Sequence, residues 1–228
     1  MIRAIVFDFN GVIADDETPH FLCFQQALAE MRLTLTQEDY YGRYLGMDER
    51  TCARLLLEHR DGTCAEADVR RIADRKAELF RAYTARHKPQ LFPGVVEFVS
   101  AATQHYRLAI ASGGRKAQIE AALAETPIEA AFEIIVSAED CPIGKPDPAI
   151  YLMTRKRLND LHPSDDGIAA SECLVVEDSV AGIRSAKAAG MRVMGVATTY
   201  PLDKLQEADL AVPTLQGMTP QSALRRLP

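Results

Sequence analysis

The first twelve residues, Met1-Ile2-Arg3-Ala4-Ile5-Val6-Phe7-Asp8-Phe9-Asn10-Gly11-Val12, decide the fold class. Ile2 to Phe7 is a β-branched and aromatic run that stops at an acid and meets Gly11 soon after, which is how a buried strand enters a turn. Apolar runs recur at Tyr106–Ala111, Ile134–Val136, Leu174–Val176, Arg192–Val196 and Leu210–Val212. Helical segments separate them, so crossover connections are available and the strands are expected to lie parallel. Asp8 is thereby predicted at the carboxyl end of a strand, the side of an open α/β sheet on which ligands bind.

From about Asp15 to His87 the strand pattern gives way to helical spacing. Phe21, Phe24, Leu28 and Met31 recur every three or four residues, and Cys52–Leu57 and Val69–Tyr83 continue the pattern. Pro89 and Pro93-Gly94 then mark a return to alternating strands and helices. The predicted organisation is therefore an α/β core from residues 1–14 and 89–228 with a helical insert at 15–88.

Composition narrows the function classes. A chain of 228 residues, 47% hydrophobic and 25% charged, is ordinary globular material. No apolar run approaches the roughly 18 residues of a membrane span. Met1-Ile2-Arg3 leads directly into the first strand without a signal peptide, so the expected location is cytoplasmic. A net charge of −6 supplies no broad attraction to nucleic acid or membrane. The five cysteines are scattered without CxxC spacing, so neither a disulfide framework nor a zinc site is expected. A monomer or weak homo-oligomer is expected.

Four strand ends carry chemistry: Asp8, Ser112-Gly113-Gly114, Lys145, and Glu177-Asp178. Together they suit a phosphoryl group and a hard cation. A carboxylate can attack phosphorus and become an acyl phosphate. Carboxylate oxygens suit Mg²⁺, for which Asp8 and Asp178 are the candidate ligands. Lys145 would neutralise charge on the equatorial oxygens, and the Ser112 hydroxyl with the Gly113 amide would cradle the others. Taken singly, each motif has a plainer explanation: an Asp-x-x-Gly turn, a glycine loop, a helix cap.

Asp8-Phe9-Asn10-Gly11-Val12, Ala111-Ser112-Gly113, Gly144-Lys145-Pro146-Asp147-Pro148 and Val176-Glu177-Asp178-Ser179 resemble the four ordered motifs of the haloacid dehalogenase superfamily. The resemblance covers essentially the whole chain and points to the α-helical-cap branch of phosphatases and β-phosphoglucomutase-like proteins. It implies a Rossmann-like parallel-sheet core, a cap that opens and closes, and Mg²⁺. It makes Asp8 the nucleophile, the carbonyl of Asn10 and the acids Glu177 and Asp178 metal-side groups, and Ser112 and Lys145 phosphate binders. His20, Lys76 and the segment Gly46–Arg50 resemble substrate-reading cap positions, with Arg50 facing a second anion or sugar hydroxyls. The plain alternative for His20 is packing or capping of its helix, and for Arg50 and Lys76 a solvated charge.

One position departs from the family pattern. Phosphatases and mutases of this type usually carry an aspartate two residues after the nucleophile, as acid toward the leaving oxygen and then as base. Asn10 can hydrogen-bond there but cannot readily exchange a proton near neutral pH. Three explanations compete: a natural, slow phosphatase of a small phosphorylated metabolite that uses another group or low-pKa leaving groups, an engineered substitution, or a phosphometabolite-binding protein with little turnover. A phosphomutase is the nearest enzymatic alternative, though Asn10 is more damaging there. The retained Glu177-Asp178 pair argues against metal-independent dehalogenation, and Lys76 alone is weak support for a Schiff-base enzyme.

Overall fold

The computed structural model describes residues 1–228 except Gly46, Asp48, Ser164, Asp165, Pro228 and the side chain of Asp61. The elements run β1 (Ala4–Phe7), β2 (Ala14–Asp15), α1 (Glu17–Ala29), α2 (Gln37–Asp39), α3 (Glu49–Asp61), α4 (Glu66–Thr84), β3 (Gln90–Leu91), α5 (Val95–Ala102), β4 (Arg107–Ala111), α6 (Lys116–Leu123), β5 (Ile134–Val136), α7 (Ala149–Leu161), β6 (Cys173–Glu177), α8 (Val180–Ala188), β7 (Arg192–Val196), β8 (Leu210–Val212) and α9 (Pro220–Leu224). A π-helical turn at Tyr40–Tyr44 follows α2. Two compact units result, Met1–Asp15 with Gln90–Pro228, and Asp16–Pro89.

In the larger unit six strands pair in the order β5-β4-β1-β6-β7-β8, every pair parallel. Alternation along each strand feeds two cores. Ile5, Phe7, Leu108, Ile110, Leu174 and Val176 face one side, while Ala4, Val6, Ala109, Ala111, Cys173 and Val175 face the other. Such a sheet is covered on both faces, which explains strands that read as continuous apolar runs. Each large side chain buried in this way contributes roughly 1.5–3 kcal/mol. Phe7 meets Phe98 and Phe132 edge-on, with ring centroids 6.2 and 5.8 Å away.

The strand ends expected from sequence hold to within two residues, since β1 begins at Ala4 rather than Ile2 and β6 extends to Glu177. The antiparallel pair β2–β3, with Ala14 opposite Leu91 and Asp15 opposite Gln90, ties together the two points where the chain leaves and re-enters this unit. In the smaller unit Phe21, Phe24 and Leu28 are buried on α1 as the spacing indicates; Met31 lies past the end of that helix. Among the described residues no helix is long and apolar enough to cross a membrane.

Candidate active site

The order of the central strands sets the site. β1 lies between β4 and β6, so residues leaving the carboxyl ends of these three strands converge. Asp8 is the first residue past β1, and its amide still donates to the Val176 carbonyl at 3.0 Å. Ser112 is likewise held by donation from its amide to Val136. Lys145 arrives on the loop before α7, where its peptide bond to Pro146 is cis.

Lys145 is the hub. Its ammonium lies 3.1 Å from Asp8 Oδ1, donates to Glu177 Oε1 at 2.7 Å and to the Ala111 carbonyl at 3.2 Å, and sits 5.1 Å from the centre of the Tyr151 ring. Burial opposes its charge, but the carboxylates of Asp8 and Glu177 together raise it above the ordinary lysine range. It is therefore a fixed cation at working pH.

Glu177, the last residue of β6 and fully buried, is closed off by donors. Oε1 accepts from Lys145 and from the Tyr151 hydroxyl at 2.8 Å. Oε2 accepts from the amides of Asp178 and Ser179, both at 3.0 Å, and from the Ser179 hydroxyl at 2.9 Å. Burial would raise this acid, yet Lys145, the Ser179 amide and Tyr151 hold it below the ordinary glutamate range. Five donors fill the roughly four lone-pair positions of a carboxylate. Glu177 is thus built to hold Lys145 and the start of α8. Ser179 caps that helix by accepting from the Gly182 amide.

The other two acids behave oppositely. Burial raises Asp178 well above the ordinary aspartate range, and the charges of Glu177 and Asp8 add to the effect. Burial likewise pushes Asp8 up to about 7, with Lys145 opposing and Glu177 reinforcing. Asp8, Glu177 and Asp178 bring carboxylate oxygens within 4.8 Å of one another around a single lysine. If all three ionise, two negative charges remain uncompensated. This is a donor set that suits a small divalent cation.

Beside these acids, the Ser112 hydroxyl, 1% exposed as a residue, accepts from the Gly114 amide at 3.0 Å and approaches Asn10 Oδ1 at 3.4 Å. Gly113 lies exposed on the same loop. The structure therefore brings together Asp8, Asn10, Ser112, Gly113, Lys145, Glu177 and Asp178. Three participants carry no motif that sequence reasoning caught: Tyr151 beneath Glu177, and Thr198 and Thr199 after β7. Thr199 hydrogen-bonds the carboxylate of Asp178, and the Thr198 hydroxyl donates to the Gly11 carbonyl.

The remaining candidates lie in the helical unit. Lys76 there is fully buried, not a solvated charge. Its ammonium is 2.5 Å from His20 Nδ1 and 2.9 Å from Glu49 Oε1, and it lies 4.6 Å from the centre of the Phe80 ring. His20 in turn lies 3.4 Å from Asp16 through Nε2. Arg50 is exposed in the first turn of α3. Of the Gly46–Arg50 segment, Gly46 and Asp48 lie outside the described residues.

A doubly wound parallel sheet carrying an acid, a serine loop and an acidic pair at three strand ends, with a lysine brought among them by the loop before α7, defines an α/β enzyme of phosphoryl type. The chain belongs to the haloacid dehalogenase-like hydrolases, whose family model matches residues 2–190. It is 31% identical to the protein CbbY of Rhodobacter capsulatus, across 100% of this chain and 99% of the relative. It is 28% identical to a phosphorylated carbohydrates phosphatase of Thermotoga maritima, across 86% and 85% of the two chains. Among solved structures it superposes on an aspartate-to-asparagine mutant of CbbY from Rhodobacter sphaeroides in complex with xylulose-(1,5)-bisphosphate. That match has a TM-score of 0.83 and 25% identity, and it covers 98% of this chain and 99% of that one.

Proposed function

We propose that the chain is a Mg²⁺-dependent phosphatase that hydrolyses a small phosphorylated sugar through a phosphoenzyme on Asp8. The observation that carries this reading is the setting of Asp8: a carboxylate at the end of a central strand, 3.1 Å from a fixed ammonium and grouped within 4.8 Å with the carboxylates of Glu177 and Asp178. The names of the Thermotoga phosphatase and of the bisphosphate-bound CbbY support the substrate class.

In this reading Asp8 attacks phosphorus, the bond from phosphorus to the sugar oxygen breaks, and water then cleaves the acyl phosphate to restore the carboxylate. Ser112 and the Gly113 amide hold non-bridging oxygens, and Lys145 balances their growing charge. Asp8 and Asp178, with the main-chain carbonyl of Asn10, would hold Mg²⁺; Glu177 supports them from behind because its own oxygens are taken. Mg²⁺, when bound, supplies the charge that screens an anionic nucleophile from an anionic substrate. The helical unit is the cap that membership of the family leads one to expect, with the buried Lys76–His20 pair and the exposed Arg50 as its candidates for reading the rest of the substrate.

The test is phosphate release from pentose and hexose phosphates and bisphosphates, with Mg²⁺ or with EDTA. Release from at least one sugar phosphate is expected, falling ~100-fold or more in EDTA. Metal-independent release, or silence from both this chain and Asn10→Asp, would sink the reading. A β-phosphoglucomutase of Bacillus subtilis is also a relative, at 27% identity over 96% of this chain. Interconversion of sugar phosphate isomers without net release would favour a mutase. Asn10 speaks against it, since a mutase must protonate and deprotonate hydroxyls in every cycle.

Charge crowding at this site also has a stability signature in the metal-free protein. The folded-state pKa of Asp8 lies near 7, above its ordinary value of 3.8. The folded state therefore holds its proton longer than the unfolded state, and stability falls as pH rises from about 4 through about 7. In EDTA at pH 8, Asp8→Asn is expected to stabilise the protein by roughly 2–4 kcal/mol and to remove Asp8's share of this pH dependence, that of Asp178 remaining. Thermal melts of the two proteins across pH 5–8 check it, and an unchanged or lower midpoint for the variant at pH 8 would contradict it.

A further inference from the structure

We propose that Thr199 is a positioning residue for Asp178, fixing one oxygen of that carboxylate so that the other is presented to the cation; this rests on the magnesium reading above. The argument begins at Gly11, whose φ of +76° is open to glycine at little cost. A Cβ built there would stand 2.0 Å from Asp178 Oδ2 and 2.7 Å from Thr199 Oγ1. The backbone after β1 therefore runs directly against the carboxylate and the hydroxyl together. No side chain fits between them.

The threonine segment is itself tethered. The Ala197 amide donates to Val212 and the Thr198 amide to Val196, both at 2.9 Å, which holds the turn after β7 on the sheet. The Thr198 hydroxyl donates to the Gly11 carbonyl and so joins this turn to the loop carrying Asp8 and Asn10. Thr199 Oγ1 and Asp178 Oδ2 both stand against the same point beside Gly11, which places the hydroxyl next to the carboxylate as its donor. Adjacent residues thus grip the nucleophile loop and the acid that follows β6.

A hydroxyl is the fitting donor at this point. An ammonium would neutralise Asp178 and repel a cation, whereas an aliphatic group would leave an Asp178 oxygen buried against Gly11 without a donor, at the usual cost of an unmet buried acceptor. Groups that orient a ligating carboxylate typically govern metal affinity by 10–100-fold. The same hydroxyl lies outside the set assigned to phosphate, so its loss is expected in metal affinity before substrate affinity.

The experiment compares full-length Thr199→Val and Thr199→Ser with the parent chain. Free Mn²⁺ is titrated by electron paramagnetic resonance without substrate, and the Mg²⁺ concentration for half-maximal phosphate release is measured alongside. Thr199→Val is expected to weaken Mn²⁺ binding about 10-fold or more and to raise the Mg²⁺ requirement similarly, with little change in substrate KM at saturating Mg²⁺. Thr199→Ser, which keeps the hydroxyl, is expected to stay within about twofold of the parent. Parent-like binding by Thr199→Val would overturn the inference, as would equal weakening by both variants. A parent chain that binds no Mn²⁺ would overturn the metal reading itself and this inference with it.

Discussion

Asn10→Asp is expected to raise phosphate release from an alkyl phosphate such as a sugar phosphate by about 10²–10⁴-fold, the usual contribution of a positioned acid and base. Asn10 stands in the loop after β1, two residues beyond Asp8, with Oδ1 3.4 Å from the Ser112 hydroxyl. Its amide can orient a leaving oxygen or a water but cannot give a proton to the first or take one from the second. The gain depends on the leaving group. An aryl phosphate, whose oxygen departs as a stable anion, needs no proton and should gain far less than a sugar phosphate.

Adding Asp8→Ala to Asn10→Asp is expected to return release to background on both substrates, because the restored acid has no phosphoenzyme to serve. No hydrolysis of sugar phosphates by either the parent or Asn10→Asp, given a folded protein that binds its ligand tightly, would leave a binding protein as the better reading, whereas equal and substantial rates would mean that Asn10 is not the brake. Peptide mass analysis belongs beside this assay. An Asn-Gly pair is open to deamidation, although here the Gly11 amide that must attack the side chain donates to the Ala14 carbonyl at 3.0 Å.

Most residues legible from sequence share a simple property, standing just beyond a short apolar run, so that strand pattern and chemistry are read together. Asp8, Ser112 and Asp178 are legible in this way, and Lys145 by the rigid Gly-Lys-Pro-Asp-Pro loop that carries it. Tyr151 was hidden by its success as a core residue, for Ile150, Tyr151, Thr154 and Leu158 form an apolar-looking face of α7 and only the fold turns one hydroxyl toward Glu177. Thr198 and Thr199 belong to no motif, and their partners lie far back in the chain. Lys76 sits on a helix dense with charge, where burial could not be inferred. Its partners Glu49 and His20 are 27 and 56 residues away. The two-residue strands β2 and β3 are too short to show a period.

Gly182→Ala is expected to cost about 3–5 kcal/mol, the range for disrupting a buried ion pair from one side. The position is in the first turn of α8 and would ordinarily tolerate alanine well. Here an added Cβ would stand 1.7 Å from Glu177 Oε1 and 1.9 Å from its carboxyl carbon. Glu177 cannot yield without leaving Lys145, Tyr151 and the donors from Asp178 and Ser179. For a chain of this length the cost corresponds to a midpoint lowered by roughly 6–20 °C. Gly42→Ala, where nothing lies within 4 Å, provides a control expected to change stability by less than about 1 kcal/mol. The cause can be separated from a general intolerance of α8 by a double variant. Glu177→Ala alone should be costly because it leaves the buried donors of Tyr151, Asp178 and Ser179 without their acceptor and takes one of two carboxylates from Lys145, but it also vacates the space that the new methyl group needs. If the collision is the mechanism, Gly182→Ala adds little to Glu177→Ala, and the two penalties fall short of additivity by 1 kcal/mol or more, about the scale of coupling between touching residues. Additive penalties would mean that the helix itself requires the glycine, and the contact with Glu177 would lose its explanatory role.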